Sequence, residues 1–147
     1  MNQVIPICLY LLLRSAPPYR SLPLRSPVIG VIGRDILLPC LFFTNFTGNF
    51  VVQWTLLHSS ELIHKVFCNG GIQSEIRGGR YKGRTELSSV ELNHGNMSLV
   101  LKNVTYTDKG EYVCSLDSES WRDETVVELD VTAEQLEKEL ILNWSGT

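Results

Sequence analysis

The sequence has little of what most chemistry requires. Its 147 residues include only four cysteines and three histidines, with no C-x-x-C pair and no Cys/His set at zinc-ligand spacing, so no metal is expected. No Ser/His/Asp order, carboxylate pair or phosphate-cradling loop stands out, so neither an enzyme nor a cofactor site is expected. The 13 basic and 16 acidic residues are mixed along the chain, for a formal net charge of -3. That mixture lacks the basic stripe that would suit nucleic acid and the acidic block of a solvating tail. No stretch reaches the roughly 18 apolar residues of a membrane span, so no anchor is expected within this chain. Hydrophobic residues at 44% and charged residues at 20% exclude disorder and suit one globular domain.

Asparagine in the pattern Asn-x-Ser/Thr is present, at Asn45, Asn96, Asn103 and Asn143. Several such sequons in a short chain with widely spaced cysteines favour the secretory pathway, and therefore an extracellular or secreted protein. The apolar run Val4 to Leu13 has the length of a signal-peptide core. No Lys or Arg precedes it, and Arg14 to Pro18 makes a poor cleavage site; a misassembled first exon is the alternative. Either way Cys8 is expected to be absent from the mature fold. Residues 14–27, rich in proline and arginine, read as a linker. The expected organisation is a leader and linker over 1–26, one domain over 27–133 and a stalk over 134–147, with a short amphipathic turn as the alternative for the tail.

Within the domain, short runs rich in β-branched and aromatic residues alternate with Gly, Asn and Asp. Ile36 to Leu38 leads to Cys40; Phe50 to Leu57 and Glu61 to Phe67 follow, the latter ending at the turn signal Asn69-Gly70-Gly71. Thr85 to Leu92, Ser98 to Val104, Glu111 to Leu116 and Val126 to Val131 complete the set. Val127, Leu129 and Val131 alternate with Val126, Glu128 and Asp130, the mark of a strand buried on one face. No helical stretch competes. The pattern predicts an all-β antiparallel sandwich or barrel.

Two constellations narrow this. Cys40, Trp54 and Cys114 lie on three different strands. The run Asp108-Lys109-Gly110-Glu111-Tyr112-Val113-Cys114 reads Asp-x-Gly-x-Tyr-x-Cys. With Leu38-Pro39-Cys40, Val52-Gln53-Trp54, Arg80 to Leu87 (RYKGRTEL) and Leu101-Lys102-Asn103-Val104, it resembles the V domains of the butyrophilin and myelin-oligodendrocyte-glycoprotein family and of the co-stimulatory ligands of antigen-presenting cells. The resemblance covers about residues 27 to 133. It implies an immunoglobulin V-set sandwich with Greek-key connections and a Cys40–Cys114 disulfide packed on Trp54. It also implies that Tyr112 turns its hydroxyl to nearby backbone. Arg84 is the candidate partner of Asp108, with a solvated surface charge as the alternative. Departures matter too. The Phe-Gly-x-Gly of antigen-receptor V domains is replaced by Trp121-Arg122-Asp123-Glu124-Thr125-Val126. The outward positions beside Cys114 hold no arginine for sialic acid.

If Cys40, Trp54 and Cys114 point inward, so do Val52, Leu56, Tyr112 and Leu116, while Gln53, Thr55, Val113, Ser115 and Asp117 point outward. Gln53, Thr55, Val113 and Ser115 on that sheet, with Trp121 and Arg122 on the adjoining loop, are the candidate partner-binding residues; Trp121 folded onto the sheet edge is the alternative. Cys68 is left as a buried thiol or an intermolecular bridge. Asn45 and Asn96 fall in expected loops, and Asn103 near a strand end. The resemblance implies recognition of a protein counter-receptor on another cell, such as a leukocyte, in T-cell regulation. Homophilic adhesion is the second reading.

Overall fold

The computed structural model describes residues 26–43, 48–88 and 91–134. The leader with Cys8, the sequons at Asn45 and Asn143, and the tail from residue 135 lie outside the described residues. The short β-branched runs become strands β1 (Val28–Val31), β2 (Ile36–Leu38), β3 (Phe50–Leu56), β4 (Leu62–Asn69), β5 (Ile72–Arg77), β6 (Thr85–Leu87), β7 (Leu99–Leu101), β8 (Gly110–Ser118) and β9 (Arg122–Thr132). They form a six-stranded sheet ordered β1-β9-β8-β3-β4-β5, facing a three-stranded sheet ordered β2-β7-β6. The chain changes sheet between β1 and β2, β2 and β3, β5 and β6, and β7 and β8, which gives the Greek-key path of the V-set sandwich.

Three details depart from the sequence pattern. β1 and β5 are strands that no hydrophobic alternation announces, and β1 runs parallel to β9 in an otherwise antiparallel assembly. β6 and β7 are shorter than their apolar runs, because Leu92 sits in a 3-10 turn (Leu92–His94) and not in β6. The Asn69-Gly70-Gly71 signal does form the β4–β5 hairpin. Gly70 and Gly71 take φ of 61° and 91°, which other residues adopt only with strain.

The inner faces meet around one contact. Cys40, entering from β2, is joined to Cys114 on β8, and Trp54 on β3 pairs directly with Cys114 across the sheet. All three side chains are buried. The indole N–H of Trp54 donates to the Met97 carbonyl at 2.9 Å, so the ring's polar atom is satisfied inside the core. The Met97 N–H donates to the Cys40 carbonyl at 2.8 Å, and the Ser98 hydroxyl accepts from the Cys40 N–H at 3.0 Å. Thus the segment after β2 that carries the cysteine is hydrogen-bonded to the segment before β7 that carries the acceptor for the tryptophan.

One of the buried polar residues is a histidine. His64 on β4, opposite Trp54, is fully buried. Its Nε2 lies 3.3 Å from Glu75 Oε1 on β5, while Nδ1 has no hydrogen-bond partner. Burial, and then the nearby Arg77 cation, push its pKa below the ordinary value of 6.5, against the pull of Glu75. The folded state therefore favours neutral imidazole.

Two outcomes follow from this core. Replacing Cys40 and Cys114 together by alanine removes about 2–5 kcal/mol of stability, read as a lowered denaturation midpoint. Trp54→Ala costs a similar amount by leaving a cavity, about 3–5 kcal/mol. For His64, whose folded pKa is depressed, the stabilising contribution is complete above pH 6.5 and fades as pH falls through the folded pKa. Thermal melts across that range should show a decline that His64→Leu flattens; an equal decline in both proteins would remove His64 as its origin.

Candidate functional site

Two polar assemblies shape the surface. The first closes the lower end of the sandwich. In the 3-10 turn Tyr106–Asp108, the Asp108 carboxylate is 1% exposed and receives Arg84 at 2.6 Å. Its second oxygen accepts from Arg84 Nη1 at 3.2 Å. The Thr105 backbone N–H adds a bond of 2.8 Å, and Arg84 also donates to the carbonyls of Lys102 and Asn103. Burial alone would raise the Asp108 pKa. The Arg84 hydrogen bond and the Thr105 N–H outweigh it and hold the carboxyl below its ordinary value of 3.8. The hydroxyl of Tyr112 donates to the Asp108 carbonyl, and burial keeps that phenol protonated well above the usual range. This assembly orients the start of β8.

The second assembly is the outer face of the six-stranded sheet, a broad surface without chemistry of its own. Cross-strand register lays its side chains out in rows. One row runs Glu124, Ser115, Gln53, Lys65, Ile76. The next runs Arg122, Asp117, Val51, Phe67, Ser74. Val126, Val113 and Thr55 form a third. Ile72 is 75% exposed, Ile76 50% and Val126 45%, so an apolar surface is presented on both flanks.

Alternation gave the direction of the candidate residues but not their exposure. Val113 and Ser115 point to the outer face yet are buried, which corrects their place among contact residues. They are small side chains on the central strand, flanked by Thr55 and Val126, and by Gln53 and Glu124. Gln53 and Thr55 are half-buried on β3. Trp121 is 37% exposed at the tip of the β8–β9 hairpin, where its backbone is tied to Ser118. Arg122 stands exposed between Asp117 and Glu124, 3.5 Å from each. Missing from the sequence reading were Val51, Lys65, Phe67, Ile72 and Ile76. The Gly-Gly hairpin was the available signal for the last two, since a strand ending there needs a partner strand after it.

The β8–β9 flank of this face is acidic: Glu111, Asp117, Glu124 and Glu128 stand there with Arg122. Glu111 and Glu128 are directly opposite each other, a like-charge arrangement that destabilises a sheet. The exposed ring of His58 sits 3.1 Å from Glu111. Asn96 and Asn103 lie at the two ends of β7 in the other sheet. Asn103 is exposed with φ of 50°, and Asn96 is half-buried with its Oδ1 accepting from the Ser98 N–H. Cys68 faces the core, buried and free, and burial pushes its thiol pKa up. A bridge to a second chain would require β4 to open. Among the described residues no group of three His, Cys, Asp or Glu side chains could hold a metal, and no helix is long and apolar enough to cross a membrane.

Comparison with known proteins agrees with this architecture. A family model described as the immunoglobulin V-set domain matches residues 25–132. Human myelin-oligodendrocyte glycoprotein is 30% identical over 118 residues, covering 79% of this chain and 47% of that protein. The CD276 antigen homolog of Xenopus laevis is 37% identical over 111 residues, covering 74% of this chain and 35% of that protein. The chain thus spans less than half the length of these curated relatives. The crystal structure of the human B7-H4 IgV-like domain superposes with a TM-score of 0.63 at 27% identity, covering 74% of this chain and 94% of that one.

Removing one member of the lower assembly tests its weight. Arg84→Ala leaves the Asp108 carboxylate buried without its cation and should cost about 3 kcal/mol in denaturant unfolding at neutral pH. Because the Asp108 pKa is depressed in the fold, the pair's contribution is complete above its ordinary value of 3.8 and fades as pH falls through the folded pKa. The difference between wild type and variant should therefore hold down to that pH and narrow only in stronger acid.

Proposed function

Because this chain belongs to the immunoglobulin V-set family, we propose that it is an extracellular binding module that recognises a protein counter-receptor on another cell, in the regulation of T-cell responses. The observation that carries this reading is the outer face of the six-stranded sheet. It combines exposed aliphatic side chains at Ile72, Ile76 and Val126 with half-exposed Gln53, Thr55 and Trp121 and a charged rim. Protein-recognition surfaces likewise combine apolar side chains that lose water on contact with polar and charged ones. The likeness to the CD276 homolog and to the B7-H4 domain supports the immune assignment at the level of family, an inference by analogy. Binding acts here by shape and charge, with no covalent step.

The sequons are consistent with the same orientation. Glycan at Asn96 and Asn103 would project from the three-stranded sheet and leave the six-stranded face open. Homophilic adhesion, the second reading, is disfavoured by charge. A second copy of this face would bring the carboxylates at 111, 117, 124, 128 and 130 against a surface whose outward cations include Lys65, Lys109 and Arg122, and like charges in an interface cost affinity.

The test is binding of fluorescent multimers of the folded domain to leukocytes. A variant carrying Ile72→Glu and Ile76→Glu should lose about tenfold or more in binding. Leu37→Glu, on the exposed face of the opposite sheet, should leave binding unchanged. Equal loss in both, or loss only with Leu37→Glu, would place recognition elsewhere. Sedimentation of the purified domain at the same concentrations should show a monomer; a dimer dispersed by the Ile72/Ile76 changes would favour adhesion instead.

A further inference from the structure

At the upper end of the outer face, the ends of β3, β4 and β8 border an open groove of about 340 Å³. Its lining comes from three adjacent strand ends. Val51 forms the floor, with Asn49 beyond it. Phe67 and Asn69 stand on the β4 side, and Asp117 and Glu119 on the β8 side. Phe50 and Cys68, which alternate with these residues, turn into the core and contribute backbone. The groove is mainly apolar, with the Phe67 ring on one side and Asp117 and Glu119 bordering the other.

Both walls already attract cations from this chain. Lys65 Nζ lies 4.9 Å from the centroid of the Phe67 ring, and Arg122 Nε lies 3.5 Å from Asp117 Oδ1. Glu119 accepts from Asn49 Nδ2 at 3.2 Å, which holds its carboxylate over the groove's end. Lys65 belongs to the neighbouring row and Arg122 to the β9 end of the same row as Val51, and neither lines the groove. An anion would meet two carboxylates here. An uncharged aliphatic side chain would desolvate them and offer no new hydrogen bond in return. A side chain with an apolar stem and a flat, delocalised cation satisfies every wall: methylenes on Val51, the guanidinium face on Phe67, and its N–H edge toward Asp117 and Glu119. The volume is at the lower end of ligand sites, which suits one long side chain.

We propose that this groove is the specificity pocket of the recognition face and receives an arginine side chain of the protein partner. The proposal rests on the front-face reading above and adds the chemistry by which the partner is selected. It also gives the acidic flank a function, since a partner bearing arginine would be steered toward it.

The probe is a short peptide, Ac-Gly-Arg-Gly-amide, titrated into the isotopically labelled intact chain and followed by amide chemical shifts. Its control is the same peptide with citrulline, which keeps shape and planarity and removes the charge. Saturable shifts should appear at Asn49 to Val51, Phe67 to Asn69 and Asp117 to Glu119, with citrulline at least about tenfold weaker. The Asp117→Asn, Glu119→Gln double variant should abolish the preference while its remaining spectrum stays unchanged. Equal responses to the two peptides, or no saturable response at these amides, would overturn the pocket. That failure is separable from failure of the recognition face. Leukocyte binding lost with the Ile72/Ile76 variant but kept with the Asp117/Glu119 variant would sink the pocket and leave the face standing.

Discussion

The fold hangs on a single packed contact between its two sheets. Cys40 and Cys114 join them covalently, and Trp54 fills the space beside the bridge with its indole N–H bonded to Met97. A large ring can be buried there only because that polar atom is satisfied, and it is satisfied only because the loop carrying Met97 is itself held by the Cys40 backbone. Once Trp54 and Cys114 must both face inward, the pleat leaves no freedom on β3 and β8. Val52 and Leu116 follow inward, and Val51, Gln53, Asp117 and Ser115 are turned to the other side. The outer face is therefore a geometric consequence of the core, since a slip of one residue in either strand would exchange the two faces.

Pairing along the six-stranded sheet then transmits that decision outward. β3 sets β4 and β8, β8 sets β9, and β4 sets β5. The Arg84–Asp108 pair and the Tyr112 hydroxyl anchor the start of β8 at the opposite end from the groove, so the central strand is held both in its middle and at its entry. Such a scaffold suits a binding face, whose side chains need fixed positions while the loops between strands can vary.

How much of this was legible in the amino-acid order differs by region, for physical reasons. The sandwich class was legible because Cys40, Trp54 and the Asp108-to-Cys114 run involve residue types whose burial demands specific partners. β1 and β5 were not. Val28–Val31 is four residues long with a glycine inside. Ile72–Arg77 is an edge strand with solvent along one side, so neither needs the alternation that marks a half-buried strand. On the face itself, alternation fixes direction but not exposure. Val113 and Ser115 face out and remain covered because exposure depends on the height of neighbours contributed by two other strands. Those neighbours are known only once register is known. The groove over Val51 is bordered by the ends of three strands and has no signature within any single strand.

The charges of the outer face carry a further implication. Glu111 and Glu128 oppose each other on paired strands, a like-charge arrangement that destabilises a sheet, and the His58 ring lies 3.1 Å from the first of them. A surface selected for stability alone would alternate signs across this pair, as Lys102 and Glu86 do at 2.7 Å on the opposite sheet. Local arrangements that work against stability tend to mark places where something else is required of the residues. Here the repulsion is gathered on one flank of the same face that exposes Ile72 and Ile76, next to the groove walled by Asp117 and Glu119. A complementary cationic surface would remove the repulsion on binding, so part of the strain within the free domain would reappear as affinity for a basic partner. On the proposed reading, that coupling would join the apolar β5 edge, the acidic flank and the groove as parts of one surface.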